Sequence, residues 1–463
     1  MQYQDGKAID LKVAYIGGGS RGWAWGFMTD LAMDTGMEGT VRLYDIDRDA
    51  AEKNRIIGEK TANHEKAVSH WKYEVSDTLQ EALTGVDFVV ISILPGTFEE
   101  MKSDVHAPER VGVYQSVGDT VGPGGLMRAM RTIPMFVEIA QAIKAYAPKA
   151  WVINYTNPMT LCMATLYDVF PEIKAFGCCH EVFGTQKLLA AMLEDMCDIK
   201  DVPRQDIRVT VQGVNHFTWF STASYQGMDL FPLYLTFCEK YRETGFTKGK
   251  DANWMNDFFQ CSHKVKFDLF LRYGKIAAAG DRHLAEFMPP WYLKDPETVK
   301  SWGFGLTPVS WRLEDLDRRL ARRARLLSGE EDITFKATGE EGHLMMKALL
   351  GLGDMVTNVN IPNRGQIPNL PLGAVVETNA LFRRDQISPV FAGAMDSDIL
   401  ALTMRHVTDQ QMILRAAQTC DRKLAFAAFM NDPQMGKVDV NDAQPLFDDM
   451  LLAQKKYLPK EWW

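Results

Sequence analysis

Two short segments, far apart in the chain, carry side chains of the kinds that bind transition metals. Cys179 lies in Phe176-Gly-Cys-Cys-His-Glu181, and His216 lies in Gly213-Val-Asn-His-Phe217. A cysteine thiolate is a soft ligand and a neutral imidazole is a borderline one, and two such ligands leave positions on a metal open for substrate oxygens. The pair predicts a metal site. Either residue by itself is more often a packing or hydrogen-bonded residue of the core.

A glycine-rich segment near the N-terminus indicates a second site, for a dinucleotide. The apolar run Lys12–Ile16 ends in Gly17-Gly-Gly-Ser20. Such glycines let the chain turn sharply and let backbone N–H groups approach a pyrophosphate at the start of a helix. Asp45 follows a second apolar run, where a carboxylate would bind ribose hydroxyls, and this favours NAD over NADP. The alternative for Asp45 is a turn residue or a helix start.

The elements that must position these residues are short apolar strands that alternate with amphipathic helices in the N-terminal part of the chain. This alternation predicts an α/β fold with a Rossmann-like, doubly wound parallel sheet. The predicted strands are Val13–Ile16, Val41–Tyr44, Phe88–Ile93, Trp151–Asn154 and Ala175–Cys178. Ligands of such sheets bind at the carboxyl ends of the strands. The predicted cofactor-binding residues at these ends are Gly17, Gly18, Gly19, Ser20, Asp45 and Pro95.

The length of 463 residues predicts more than one domain. The strand and helix pattern changes near residue 205, so we expect an NAD-binding domain over residues 1–205. Residues 206–463 are expected to form a larger α+β domain for substrate, metal and oligomerisation, an arrangement like that of lactate and malate dehydrogenases. The segment Ile361–Gly373 is rich in proline and glycine, which indicates an ordered loop or a linker.

Charge and cysteine usage exclude several functions. The net charge of −9 provides no basic surface for nucleic acid or anionic lipid, so neither is an expected partner. The seven cysteines lack the spacing of a disulfide framework. The N-terminal residues do not resemble a secretion signal, and no apolar run is as long as a membrane helix. A cytoplasmic protein with free thiols is the expectation.

The chain resembles glycoside hydrolase family 4, the NAD- and metal-dependent glycosidases. The resemblance covers nearly the whole chain and depends on short motifs that occur in order. These are the glycine loop, Asp45-Ile-Asp47, Gly118-Asp-Thr-Val-Gly-Pro-Gly-Gly125, Arg131-Thr-Ile-Pro134, Asn154-Tyr-Thr-Asn-Pro158, Cys179-His180, Asn215-His216, Gly280-Asp-Arg-His-Leu-Ala-Glu-Phe287 and Asn360–Pro371. The resemblance implies that the cofactors are NAD and a divalent ion, usually Mn²⁺, and that the protein is a homodimer or homotetramer.

The same resemblance implies an unusual route to hydrolysis. A hydride passes from C3 of the sugar to NAD, a base removes the proton on C2, the C1 group is eliminated, water adds, and the hydride returns to C3. Asp281 is the preferred candidate for the C2 base, and Tyr273 is the alternative. Asp119 would orient the metal or its water. The implied catalytic residues are Asp281, Tyr273, His180 and Asp119, and the implied substrate-binding residues are Asn157, Glu181, Arg282 and His283.

Departures from the family pattern bear on the substrate. Met101 stands where enzymes for 6-phosphosugars carry an arginine, so a phosphorylated sugar is not expected. The tetrapeptide Cys179-His-Glu-Val182 resembles the α-galacturonidase branch. A uronate carboxylate needs a cationic partner, and the candidates are Arg282, Lys102 and Arg364. An α-glucosidase, α-galactosidase or α-glucuronidase of the same family is the alternative.

Two other classes of protein share parts of this pattern. An NAD-dependent 2-hydroxy acid dehydrogenase has the same dinucleotide fold, but it would not need Cys179 and His216 as ligands, and it would accumulate NADH. A nucleotide-sensing protein without catalysis would not need the motifs of the second half. The presence or absence of glycoside cleavage, tested with and without Mn²⁺ and NAD, separates these classes.

Overall fold

The structure is a computed structural model that describes residues 1–247 and 259–463. Its strands are β1 Gln2–Gln4, β2 Lys7–Ile16, β3 Met37–Tyr44, β4 Trp71–Val75, β5 Phe88–Ile91, β6 Trp151–Asn154, β7 Lys174–Gly177, β8 Ile207–Val214, β9 Phe217–Tyr225, β10 Met228–Asp229, β11 Ile276–Ala277, β12 Met355–Pro362, β13 Val375–Arg383 and β14 Gln386–Pro389. Its α-helices are α1 Trp23–Ala32, α2 Arg48–Ala62, α3 Leu79–Leu83, α4 Phe98–His106, α5 Gly122–Tyr146, α6 Met159–Val169, α7 Glu181–Cys197, α8 Phe231–Tyr241, α9 Lys264–Tyr273, α10 Asp281–Phe287, α11 Pro296–Ser301, α12 Val309–Ser328, α13 Gly342–Leu349, α14 Ser397–Thr419, α15 Arg422–Asn431 and α16 Val440–Ala453.

Six parallel strands form the centre of the larger sheet, in the order β4-β3-β2-β5-β6-β7. This is the strand order of a doubly wound dinucleotide-binding fold, and it reverses direction between β2 and β5. The predicted fold class is confirmed, and each predicted strand of the N-terminal part overlaps one strand of this sheet. Strand β4 was not predicted. It lies at the edge and alternates buried and exposed residues, so it lacks the continuous apolar run of a central strand.

The larger sheet also contains strands from late in the chain. Strands β12, β13 and β14 add to it in antiparallel fashion beyond β7, where Asn360 pairs with Gly177. The ring of Phe176 on β7 packs edge-on against Phe382 on β13, with ring centroids 5.1 Å apart. The segment around Ile361–Gly373 therefore begins within a strand of this sheet. The division of the chain at residue 205 remains a prediction.

A smaller antiparallel sheet places the second half of the site. Strand β9 lies between β8 and the short strands β10 and β11. Phe217 and Trp219 of β9 are buried with Leu284 and Phe287 of α10, so this sheet and α10 share one core. The tight turn between β8 and β9 contains His216, whose φ of 65° lies in the left-handed region. Among the described residues, no helix is long and apolar enough to cross a membrane.

Helix α5 is held to α4 by a buried ion pair. The guanidinium of Arg131 donates to both carboxylate oxygens of Asp104, at 3.1 and 2.6 Å, and also to the side chain of Gln454 and the carbonyl of Pro95. Both charged side chains are almost completely buried. Breaking such a pair is costly because the remaining charge stays buried without compensation.

We expect Asp104→Asn to lower the free energy of unfolding by about 3–5 kcal/mol. The control is Asp449→Asn, which removes the partner of Arg110 in an exposed ion pair with a separation of 2.7 Å. Its effect should be within about 1 kcal/mol. Both are measured by urea denaturation, and equal effects of the two substitutions would contradict the prediction.

Candidate active site

The glycine loop lies at the point where the strand order reverses. Gly17 has a φ of 94°, and a side chain there would collide with the carbonyl of Ser92. A Cβ on Gly18 would lie 2.7 Å from Leu43 Cβ. The Asn54 side chain donates to the carbonyls of Gly18 and Ser20, at 2.7 and 2.8 Å, and these two bonds hold the loop in place. The backbone conformation and the close packing therefore require glycine at these positions. A pyrophosphate that approached the backbone closely would require glycine as well.

Asp45 ends β3 beside this loop. One carboxylate oxygen accepts the N–H of Gly19 at 2.8 Å, and the other accepts the N–H of Asp47 at 2.9 Å. Burial raises the pKa of Asp45, although these two donors oppose the shift. Ile46 is 97% exposed and lies next to Asp45, which leaves an apolar side chain free to cover a planar ring. Pro95 follows β5 at the same edge of the sheet, and its carbonyl accepts Nε of Arg131 at 2.9 Å.

Three ligand-type groups meet near the carboxyl ends of the strands. Asp119, His216 and His283 place one carboxylate oxygen and two ring nitrogens within 4.8 Å of one another, and the two imidazole rings are 3.8 Å apart by centroid. They come from the loop before α5, the β8–β9 turn and the first turn of α10. A carboxylate with two imidazoles is a donor set that suits Mn²⁺ and related divalent ions.

Thr120 orients two members of this group. Its hydroxyl donates to Asp119 Oδ1 at 2.7 Å, so at the 3.0 Å contact with His216 it accepts from Nδ1–H. Nε2 of His216 then keeps a free lone pair, which is what a metal requires. Burial lowers the pKa of His216 to about 3, and the neutral ring is therefore available as a ligand at neutral pH.

Cys179, the other predicted ligand, lies beside this group rather than within it. Its thiol contacts the side chain of Asn215, the neighbour of His216, and its carbonyl accepts Nδ2 of Asn358 at 3.2 Å. Burial raises the pKa of Cys179 well above its ordinary value, and the nearby Glu377 adds to the shift. Among the residues that the structure describes, the group within 4.8 Å does not include Cys179.

The side chains of the two residues after Cys179 contact different partners. His180 is half exposed, pairs with Glu340 at 2.9 Å and lies 6.1 Å from the ring of Trp23, at the side of the site that faces the glycine loop. Glu181 turns inward, where its carboxylate accepts the N–H of Gly280 at 2.7 Å and lies 3.7 Å from His283 Nε2. It therefore joins the start of α7 to the start of α10.

Asp281 is completely buried at the start of α10. One carboxylate oxygen accepts the N–H of Lys266 at 3.2 Å, and the other has no partner among the described residues. Burial raises the pKa of Asp281 to about 7, with a further contribution from Cys261. Cys261, His263 and Asp281 form a second compact group of ligand-type atoms, but the buried ammonium group of Lys266 lies beside it and disfavours a second cation.

Tyr273, the alternative base, lies elsewhere. Its ring packs edge-on against Trp219, with centroids 6.1 Å apart. The charged groups near it are Arg272, Asp268 and Asp398, none of which belongs to the group around His216. Among the described residues, the charged groups near Asp281 are Cys261, His263 and Lys266, so neither candidate base belongs to the group around His216. Asp281 follows Gly280, whose N–H Glu181 accepts, and this links it to the side of the site that Glu181 and His283 share.

Several buried polar atoms around these residues have no partner within the described chain. They are Oδ1 of Asn157, Oδ1 of Asn215 and Oδ2 of Asp281. Unpaired buried polar atoms are rare in folded proteins and indicate an absent ligand or water. These oxygens can accept hydrogen bonds from the hydroxyl groups of a sugar.

Four polar residues near Asp119 were not predicted from the sequence: Thr120, Arg128, Glu286 and Arg312. Thr120 and Glu286 lie inside the motifs Gly118–Gly125 and Gly280–Phe287, so their positions in the sequence could have indicated a place in the site. Arg312 follows no motif, and only the fold brings α12 to the site. Three cations were predicted as partners of the uronate carboxylate. Arg282 lies beside the group around His216, whereas Lys102 and Arg364 are exposed. Arg364 lies near Tyr167, where its charge opposes the rise in the pKa of that residue.

Comparison with known proteins agrees with this geometry. The family model for "Family 4 glycosyl hydrolase" matches residues 12–195, and the model for its C-terminal domain matches residues 211–435. An α-galacturonidase of Thermoanaerobacterium saccharolyticum is 60% identical over 459 residues, which cover 99% of this chain and 98% of that protein.

Two crystal structures extend the comparison. The Bacillus subtilis protein lplD superposes with a TM-score of 0.91 at 51% identity, covering 96% of this chain and 100% of that chain. A 6-phospho-α-glucosidase from gut microorganisms, solved with NAD and Mn²⁺, has the same fold, with a TM-score of 0.78 at 19% identity. This superposition covers 98% of this chain and 99% of the other.

Proposed function

Because the chain belongs to family 4 of the glycosyl hydrolases, we propose that it hydrolyses α-galacturonides, whose sugar carries a carboxylate at C6. The observation that carries this proposal is the 60% identity, over nearly the whole chain, to a protein named as an α-galacturonidase. Two features support it: the charges of Arg128 and Arg312 act on Asp119, and Met101, a buried apolar residue, stands where enzymes for 6-phosphosugars carry an arginine.

The chain's own residues fit NAD and a divalent ion such as Mn²⁺. The glycine loop and Asp45 would hold the dinucleotide. Asp119, His216 and His283 would hold the ion, with the thiol of Cys179 close to them across Asn215. When bound, NAD accepts a hydride from C3 of the sugar and the ion withdraws electron density from the oxidised carbon. No side chain can supply either chemistry.

Asp281 would remove the proton on C2. One of its carboxylate oxygens has no partner among the described residues, and its raised pKa of about 7 makes it a stronger base than an ordinary aspartate. Glu181 would act as a positioning residue, because its bond to the N–H of Gly280 holds the turn from which Asp281 projects. Asn157 would hold sugar hydroxyls through its free side-chain oxygen.

The composition of the metal site can be measured directly. We expect His216→Ala and His283→Ala each to lower the Mn²⁺ content of purified protein at least tenfold at a fixed metal concentration, because each removes one of few donors. Cys179→Ser tests whether the thiol completes the site. His70→Ala, which removes an exposed histidine outside the site, is the control. Normal metal content in both histidine variants, with a normal melting temperature, would contradict the assignment.

Substrate preference tests the proposed function itself. A nitrophenyl α-galacturonide should be cleaved about 30- to 1,000-fold faster, by kcat/KM, than the matching galactoside, because the galactoside leaves a buried cation unpaired at a cost of about 2–4 kcal/mol. The corresponding glucoside, glucuronide and 6-phosphogalactoside complete the series. If another sugar is preferred, the substrate assignment is wrong while family membership stands.

The runner-up class, a 2-hydroxy acid dehydrogenase, makes an opposite prediction for the cofactor. It would convert NAD to NADH in step with product, whereas the proposed reaction returns each hydride to the sugar. We further propose a homodimer or homotetramer, which analytical ultracentrifugation would reveal.

A further inference from the structure

Helix α12 carries six arginines, and most of them are paired. Arg318 and Arg319 bind Asp315, while Arg322 and Arg325 bind Glu331. Arg323 lies at the cofactor end of the helix, near Arg21 and Asp49. Arg312, near the start of the helix, forms no hydrogen bond or ion pair within residues 1–247 and 259–463, and its Nε is fully buried without a partner.

Two other buried arginines lie close to Arg312. Arg128 and Arg282 both have Arg312 among the charges that lower their pKa, although burial is the larger cause for each. Both are fixed by backbone groups: Arg128 Nε donates to the carbonyl of Asn157 at 3.1 Å, and Arg282 Nη2 donates to that of Ser116 at 2.7 Å. Within residues 1–247 and 259–463, Arg312 has no comparable bond, and its two terminal nitrogens have no protein partner there.

The carboxylates near Arg312 are engaged with other groups. Asp119 is bonded to Thr120 and lies with the histidines of the proposed metal site. Glu286 accepts the N–H groups of Val117 and Gly118, at 2.7 and 2.9 Å. Asp315, the third carboxylate that acts on Arg312, pairs with Arg318 and Arg319. Buried charges are normally paired, so a guanidinium without a carboxylate of its own among the described residues indicates a place for an anionic ligand.

The location of these arginines connects them to the sugar. Asp119 is among the charges nearest to Arg312. In the sequence, Arg282 lies between Asp281, the proposed base, and His283, a proposed ligand of the ion. An anion bound to Arg312 would thus belong to a molecule that also reaches the reacting atoms. A guanidinium with two free terminal nitrogens matches the two oxygens of a carboxylate.

We propose that Arg312 binds the C6 carboxylate of the galacturonide and is the residue that determines the preference for an acidic sugar. This proposal rests on the proposed function. Arg282 and Arg128 contribute positive charge but are held by the backbone, whereas Arg312 makes the direct contact. A neutral galactoside would leave Arg312 unpaired, which explains why it should be a poor substrate.

The test compares two substrates in three variants. Arg312→Met should lower kcat/KM for a nitrophenyl α-galacturonide by about 100- to 1,000-fold, while kcat/KM for the galactoside changes less than threefold. Arg312→Lys keeps the charge but loses the planar fork, and should fall between wild type and Arg312→Met. Arg325→Met removes an exposed arginine of the same helix that pairs with Glu331, and should leave both rates unchanged.

The outcomes separate this proposal from the proposed function. A wild-type enzyme that does not prefer the galacturonide would overturn both. If the wild type prefers the galacturonide, an unchanged preference in Arg312→Met, or an equal loss with both substrates, would overturn the role of Arg312 alone. Calorimetric titration with galacturonate and with galactose provides a second measurement, in which Arg312→Met should lose binding of the acid only. Should Arg312→Met fail to fold, Arg312→Lys gives the same comparison.

Discussion

Protein stripped of both NAD and divalent ions should cleave a nitrophenyl α-galacturonide at less than about one thousandth of the rate of the reconstituted enzyme. The reason is that oxidation of C3 needs a hydride acceptor and that loss of the C2 proton needs an electron-poor neighbour. Amino-acid side chains cannot accept a hydride, and none polarises a ketone as strongly as a divalent ion. Restoring one component without the other should recover almost nothing.

The experiment uses chelation followed by Mn²⁺, and extensive dialysis followed by NAD, in all four combinations. Magnesium and zinc replace manganese in parallel samples, so that the effect of the ion is distinguished from that of ionic strength. Absorbance at the wavelength of NADH reports whether the cofactor is consumed. Full activity in the doubly stripped protein would exclude the proposed route, and stoichiometric NADH would favour a dehydrogenase.

The second large effect concerns the C2 proton. If Asp281 removes it, turnover in deuterated water should place deuterium at C2 of the released sugar, because the proton that returns comes from solvent. Asp281→Asn should slow both cleavage and exchange by about 10²- to 10⁴-fold while leaving the binding of NAD unchanged. The carboxylate is buried, so the isosteric asparagine preserves the packing around it.

Tyr273→Phe provides the matched comparison. Tyr273 contacts Trp219 and lies away from the group around His216, so the loss of its hydroxyl should change the rate less than threefold. A large loss in Tyr273→Phe with exchange retained in Asp281→Asn would transfer the role of base to the tyrosine. Product without deuterium would argue against elimination, provided that C2-deuterated substrate also shows no kinetic isotope effect, since a shielded base could return the same proton.

The sequence was sufficient where local pattern decides the structure. Strand β2, the glycine loop and Asp45 follow one another within a short stretch, and steric contacts with Ser92 and Leu43 require glycine there. The parallel sheet was predictable for a similar reason, because strands covered on both faces are short, nearly continuous apolar runs. Edge strand β4 lacks such a run and was missed.

Which residues meet in the site depends on packing between distant segments, which the sequence does not reveal. Cys179 and His216 were paired by ligand chemistry, and that pairing stays a prediction. The compact group around His216 also contains Asp119 and His283, which only the approach of α10 to the loop before α5 brings near it. Arg312 carries no local signal at all. The arginines of this amphipathic helix resemble a solvated face, and four of the six are exposed ion-pair partners. Arg312 and Arg323, which have no such pair among the described residues, are distinguished from them only in three dimensions.

The antiparallel strands at the end of the larger sheet have a consequence for biosynthesis. A ribosome releases β7 long before β12, so the growing chain presents an open strand edge and the apolar ring of Phe176 without its neighbour Phe382. Such edges pair readily with other chains. We expect the cofactor-binding sheet to complete its fold only after residue 389 has emerged, and nascent chains arrested before β12 to depend on chaperones for solubility.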